Sequence, residues 1–170
     1  MMYKLLGAGL VVIASGGVGL SMVVAYKNEV RCLRVILAAL SYMKCELQFH
    51  STSLPILCKK AAAVATGPVK QYFEELSNEL DSQICPDIQS CSLHALSKVK
   101  QLPKTINEII IDFSSTLGSF DLMGQLKGLD HSIEQAERML EKLSAGQEQR
   151  LRNYQTLSLC AGAALAIILV

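Results

Sequence analysis

Cys85, Cys91 and His94 are the residue types that come nearest to a metal set in this chain. Two thiolates and an imidazole are zinc donors. Their spacing matches no standard zinc pattern, and a fourth ligand would have to come from afar. Thiols and an imidazole at helix ends is the plainer reading. His50, His94 and His131 have no neighbouring nucleophile in sequence that would mark a triad. Gly16-Gly17 and Gly19 lie in an uncharged apolar run with no strand before them, so they are not a dinucleotide fingerprint. The expectation is a protein without catalytic residues, bound metal or cofactor.

Charge and thiols narrow the partners. A formal net charge of +1 over 170 residues implies no strongly basic face, which argues against nucleic acid. Glu74, Glu75, Glu79 and Asp81 form an acidic run. It reads as a solvated face or as a docking edge for a basic partner. The six cysteines include no CxxC, and Cys160 lies in an apolar run, so at most five could pair outside lipid. Reduced thiols in a reducing compartment follow.

The elements that must hold these residues begin with Leu5–Tyr26, an uncharged run closed by Lys4 and Lys27. As a helix it spans about 33 Å, enough for a hydrocarbon core of about 30 Å. A cleaved signal peptide, with Ala14-Ser15-Gly16 as the cleavage site, is the competing reading. The run continues for a whole span past that site, which favours a retained anchor over residues 1–27.

Residues 28–153 then read as a bundle of about six helices. Val30, Leu33, Leu37, Leu40 and Leu47 share one stripe, with Ile36 and Met43 beside it. A Ser or Thr within residues 50–53 can cap the next helix, whose stripe is Leu54, Leu57, Ala61 and Val64. Gly67-Pro68 stops and restarts the chain. Val69, Tyr72, Phe73, Leu76 and Leu80 follow, with Glu74, Glu75, Glu79 and Asp81 expected to face away. Leu93, Leu96 and Val99 make a weaker fourth helix that Leu102-Pro103 ends. Ile106, Ile109, Ile110, Phe113 and Leu117 make a fifth; Ile109-Ile110-Ile111 could be a strand, but no partner strand exists. Gly118 ends it, and Asp121 is placed to cap a sixth. There Leu122, Leu126, Leu129, Ile133, Ala136, Leu140 and Leu143 form a heptad-like seam. Glu134–Arg138 and Glu148–Arg152 are i,i+4 pairs. Gly124, Gly128 and Gly146 weaken this helix, and either permit close contact or are tolerated.

Residues 154–170 end in a second apolar run of about 25 Å, expected as a short transmembrane helix with snorkelling and interfacial flanks. Small-xxx-small pairs such as Ser15–Gly19 and Gly162–Ala166 suit close helix packing, which leaves self-association open. Basic residues beside the spans crowd into the middle segment, which places residues 27–153 in the cytosol and both termini on the far side.

Phe113-Ser114-Ser115-Thr116-Leu117-Gly118-Ser119-Phe120-Asp121, with Gln125 one turn on, resembles the stage III sporulation protein AB family. Members carry Leu-Gly-x-x-Asp-x-x-x-Gln at this place. The plan is similar throughout: an N-terminal span beginning Lys4-Leu5-Leu6-Gly7-Ala8, about six helices, and a short apolar C-terminus. Glu46, Thr52 and Leu54 resemble the family's Glu…Thr-Pro-Leu segment, with Ser53 in place of the proline and Ile56 where an acidic residue is frequent.

The resemblance implies a noncatalytic platform in the mother-cell membrane around the forespore. Its bundle is similar to the cytosolic domain of the inner-membrane platform proteins of type II secretion and type IV pilus systems. The implied partners are other channel subunits, the membrane, and the sporulation ATPase (stage III sporulation protein AA). Leu117, Gly118, Asp121 and Gln125, with Glu74, Glu75 and Glu79, are the structural or docking residues expected. A membrane-anchored regulatory protein that binds a small ligand is the alternative, though the stripes show few inward polar residues.

Overall fold

The structure is a computed structural model that describes residues 2–50, 52–82, 85–118 and 121–145, with isolated positions at 153, 156, 160 and 164. Side chains are described from Ser21 onward. The described residues are all helical: α1 Met2–His50, α2 Leu54–Val64, α3 Gly67–Ser82, α4 Ile88–Lys98, α5 Lys104–Thr116 and α6 Leu122–Ser144. No strand occurs among them. Ile109–Ile111 lie within α5, as expected.

Two compact units divide the chain. One comprises residues 29–141; the other comprises residues 1–28 and 142–170. The apolar run Leu5–Tyr26 is helical within α1, and Asn28 does not interrupt that element. Among the described residues, no helix is long and apolar enough to cross a membrane. The C-terminal run, together with Ser51, Ser119, Phe120, Gly146 and the pair Glu148–Arg152, lies outside the described residues. Within the smaller unit, the Tyr26 hydroxyl donates to the Leu143 carbonyl.

The larger unit is built by consecutive packing of α2 on α3, α3 on α4 and α4 on α5. Its α1 segment buries Val30, Leu33, Ile36, Leu40, Met43 and Leu47, close to the expected stripe. α3 buries Val69, Tyr72, Phe73 and Leu76. The Tyr72 and Phe73 rings meet edge-on at 5.1 Å, and the Tyr72 hydroxyl bonds Ser92 Oγ at 2.8 Å. α5 buries Ile106, Ile109, Ile110 and Phe113, with Leu117 just beyond.

Two helices turn differently from their expected stripes. Val64 and Leu93 are exposed. The inward face of α2 is Leu57, Cys58, Ala61 and Ala62, and that of α4 is Cys91, Ser92 and Ala95. Small side chains let these two-turn-and-more helices seat closely, and close seating decides the buried face over side-chain size. In α6 the seam is likewise displaced: Leu122 is exposed, and Gly128, Leu129, Ser132 and Ala136 are buried. Lys44 of α1 reaches Asp130 of α6 at 2.5 Å, and Thr105 of α5 donates to Glu29 of α1.

Candidate functional site

The motif at the α5–α6 junction is a built turn. Leu117 extends at the end of α5, and its N–H bonds the Phe113 carbonyl at 3.3 Å. Gly118 follows with φ +72°, a left-handed conformation that favours glycine. It also abuts Ile88, the first residue of α4, so that a Cβ would overlap the Ile88 side chain. The backbone is what favours glycine here; for any Cβ the tip of the Ile88 side chain would also have to shift. Asp121 Oδ1 accepts the Gly124 N–H at 3.0 Å, and the Asp121 carbonyl accepts the Gln125 N–H at 3.0 Å. The expected cap is formed. Leu117 and Gly118 also line an open cleft of about 310 Å³ with Pro86, Asp87, Gln89 and Ser115.

The second motif segment draws together across the α1–α2 corner. Glu46 Oε2 accepts from Lys60 Nζ at 2.7 Å and from Thr52 Oγ1 at 3.2 Å, while Oε1 accepts the Tyr42 hydroxyl at 3.1 Å. The Lys60 bond, before the others, holds the Glu46 carboxyl below its ordinary range. Thr52 is thus spent on Glu46. Ser53 occupies the N-cap of α2 but makes no side-chain capping bond, contrary to the expectation that a Ser or Thr would cap there.

The acidic run does not act as one face. Glu74 is exposed and pairs with Lys70 at 3.7 Å; Glu75 is half-buried and reaches Lys98 at 3.5 Å. Both border an open cleft of about 550 Å³ with Lys59, Asn78 and Asp81. Glu79 instead turns inward and is only 6% exposed. It lies on the same stripe as Tyr72 and Leu76, and its charge is met from α4. Lys98 Nζ sits 2.5 Å from Oε1 and His94 Nδ1 sits 3.0 Å from Oε2. Lys98 foremost, and His94 after it, hold the Glu79 carboxyl below the usual range. Glu79 was expected to face solvent. Its burial is the correction, and the basic pair on α4 is its cause.

Beside Glu79 lie the thiols noted at the outset. A Glu79 carboxylate oxygen, Cys85 Sγ and a His94 ring nitrogen all fall within 4.8 Å of one another. The buried Cys91 thiol is hydrogen-bonded to Cys85; burial foremost, with that bond, pushes Cys91 up to about 11. The remaining cysteines stand apart: Cys45 is exposed, whereas Cys58 is buried and pushed up to about 12 by burial.

The all-helical order has a counterpart among known proteins. Residues 4–170 match the sequence profile of stage III sporulation protein AB. The chain belongs to the stage III sporulation protein AB family. Stage III sporulation protein AB of Bacillus subtilis (strain 168) is 27% identical over 171 residues, covering 99% of this chain and 100% of that protein. A solved structure of a stage III sporulation protein AB is similar in fold, with a TM-score of 0.64 at 23% identity. That likeness covers 72% of this chain and 98% of the solved one. Within this family member, the Leu117–Gly118–Asp121 signature serves the helix junction. Glu46 and Thr52, eligible from sequence only by resemblance, are joined to each other.

Proposed function

We propose that this member of the family is a noncatalytic membrane platform of the sporulating mother cell. Its bundle docks a cytosolic ATPase, and its apolar ends hold lipid and other subunits of the channel to the forespore. One observation carries the reading: the uncharged run Leu5–Tyr26 is helical, and the stripe Val30–Leu47 that follows it in the chain is buried in the bundle. At the described end of the run, Met22 is 51% and Val24 66% exposed, which suits side chains covered by lipid. Lys27, Arg31 and Arg34 follow and are exposed, which supports a cytosolic bundle under the positive-inside rule. Residues 154–170 would be the second anchor, with both termini across the membrane.

The motif residues fit a scaffold. Leu117 is buried, Gly118 makes the left-handed turn and Asp121 caps α6, and the cleft beside them is open. The test is a cysteine at the right place. Cys45 is exposed on the bundle and suits it better than Cys85 or Cys91. With Cys45 as the sole cysteine, a membrane-impermeant maleimide should label it only after the cells are opened. Labelling of intact cells would put the bundle outside the cytosol and remove direct ATPase contact. Co-purification of the detergent-solubilised chain with the sporulation ATPase then tests docking, and its absence under conditions where both are folded would overturn the platform reading.

A further inference from the structure

We propose that Glu79, Cys85, Cys91 and His94 form a binding site for a thiophilic divalent cation of the zinc type, clasping the connection between α3 and α4. The site is independent of the platform reading. Sequence spacing left the fourth donor missing; the fold supplies it from α3, six residues before Cys85. Donor softness decides the metal class. Two sulfurs and an imidazole with one carboxylate suit zinc over magnesium or calcium, which take oxygen sets.

The geometry is close to what zinc requires. Bonds of about 2.0–2.3 Å at tetrahedral angles set donors about 3.3–3.8 Å apart. The Glu79, Cys85 and His94 donor atoms already lie within 4.8 Å of one another, and Cys91 is in hydrogen-bond contact with Cys85. For these three donors, contraction by about 1 Å falls mainly on Cys85, which sits in the connection between the helices, and not on α3 or α4; Cys91 lies outside that 4.8 Å set and joins it by turning its side chain. Cys91 and His94 are one helical turn apart on α4.

The outer shell is also present. Lys98 holds Oε1 of Glu79, while Oε2 faces His94. A cation can sit between Oε2 and Nδ1 once the neutral imidazole carries its proton on Nε2, and the Lys98 bond stays intact, which fixes the carboxylate's orientation. The charges balance. Two thiolates and one carboxylate offset a divalent cation and the Lys98 ammonium, and binding releases two protons to solvent, one from each thiol. His94 is exposed and Cys85 half-buried, which leaves an entry path. Glu79 and Cys91 form the dry floor. The thiol pair has a rival fate, closure to a disulfide by an oxidant, and the experiment separates the two.

The full chain in detergent, kept reduced with a phosphine and stripped with chelator, is titrated with Co2+ as the probe. Expected are one equivalent bound, a thiolate-to-cobalt charge-transfer band, the intense red bands of a tetrahedral centre, and loss of all these on adding Zn2+. Cys85→Ser and His94→Gln, both at accessible positions and checked for helix content by circular dichroism, each weaken binding by about tenfold or more; Lys98→Met weakens it by roughly 10–100-fold through Glu79. Cys45→Ser leaves binding unchanged. Absence of the charge-transfer band, or a band of undiminished intensity and affinity in Cys85→Ser, overturns the site. So does a Cys85–Cys91 disulfide formed without phosphine, by a chain that binds no Co2+ when reduced.

Discussion

A Cβ on Gly118 would stand 2.0 Å from Ile88 Cδ1, so the tip of the Ile88 side chain at the start of α4 lies against the glycine that ends α5. The same glycine carries φ +72°. Gly67 provides an internal comparison, because its φ is +61° with open space where a Cβ would be. Gly67→Ala should cost about 1 kcal/mol, from the left-handed backbone alone. Gly118→Ala should cost about 1–2 kcal/mol, from the same strain plus a rotamer shift of the Ile88 side chain. Adding Ile88→Ala should recover part of the second loss and none of the first. Thermal melts of the four variants check this. Equal costs at Gly67 and Gly118 would mean that Ile88 yields freely.

Asp121→Ala should lower stability by about 1 kcal/mol through loss of the bond to the Gly124 N–H. Asp121→Asn keeps an acceptor oxygen and should recover most of that loss. The difference is small but measurable as a shift in melting temperature. If the alanine variant melts like the parent yet fails to engage a partner, the signature aspartate serves docking in place of capping.

The helix stripes, the α5–α6 turn and the buried carboxylate were unequally visible in the sequence. The α5 stripe was fully legible, since Ile106, Ile109, Ile110, Phe113 and Leu117 are large, apolar and periodic, and all are buried. The Gly118 stop and the Asp121 cap were legible too, because both act on local backbone. Glu79 was not. Its spacing from Tyr72 and Leu76 puts it on the buried face, but a carboxylate reads as solvent-facing until its partners are known. Those partners, Lys98 and His94, lie on another helix. The α2 and α4 faces failed for a related reason. Cys58, Ala61 and Ala62, or Cys91, Ser92 and Ala95, make a face by being small, and no hydropathy pattern weights smallness above Leu93 or Val64. The Glu46–Thr52 bond needed the α1–α2 corner to be known first.

Glu79 and Lys98 should give the chain a stability plateau with two edges. The Glu79 carboxyl is held low in the folded state, so at acid pH the unfolded chain takes up a proton that the folded one refuses. That contribution is present above the ordinary carboxylate value of about 4.3 and is lost as pH falls through the lower folded value. Lys98 is shifted the other way, upward, foremost by its bond to Glu79. Its contribution is present below about 10.4 and is lost as pH rises through the higher folded value. Melts of the metal-free chain across this range, compared with Glu79→Gln, should favour the parent most between the edges, converge at the acid edge and lose that advantage at the alkaline one. A difference independent of pH would assign the effect of Glu79→Gln to packing.

Gly128 sets two known effects against each other. It sits inside α6, where glycine costs about 1 kcal/mol relative to alanine, so Gly128→Ala gains that much in helix propensity alone. A Cβ there would stand 2.5 Å from Thr116 Cβ on α5. That neighbour is anchored one bond from its backbone and cannot swing aside as a long side chain would. Overpacking of this kind costs about 1–3 kcal/mol, so the clash should win and Gly128→Ala should be net destabilising by about 1 kcal/mol. Thr116→Gly removes the obstructing Cβ at a cost of its own in α5. Only in that background should Gly128→Ala reveal its propensity gain, and the double variant should melt above the Thr116→Gly single. If Gly128→Ala stabilises the parent, α6 moves away from α5 without penalty. The small ridge Gly128–Ser132–Ala136 would then be tolerated and not required for close contact.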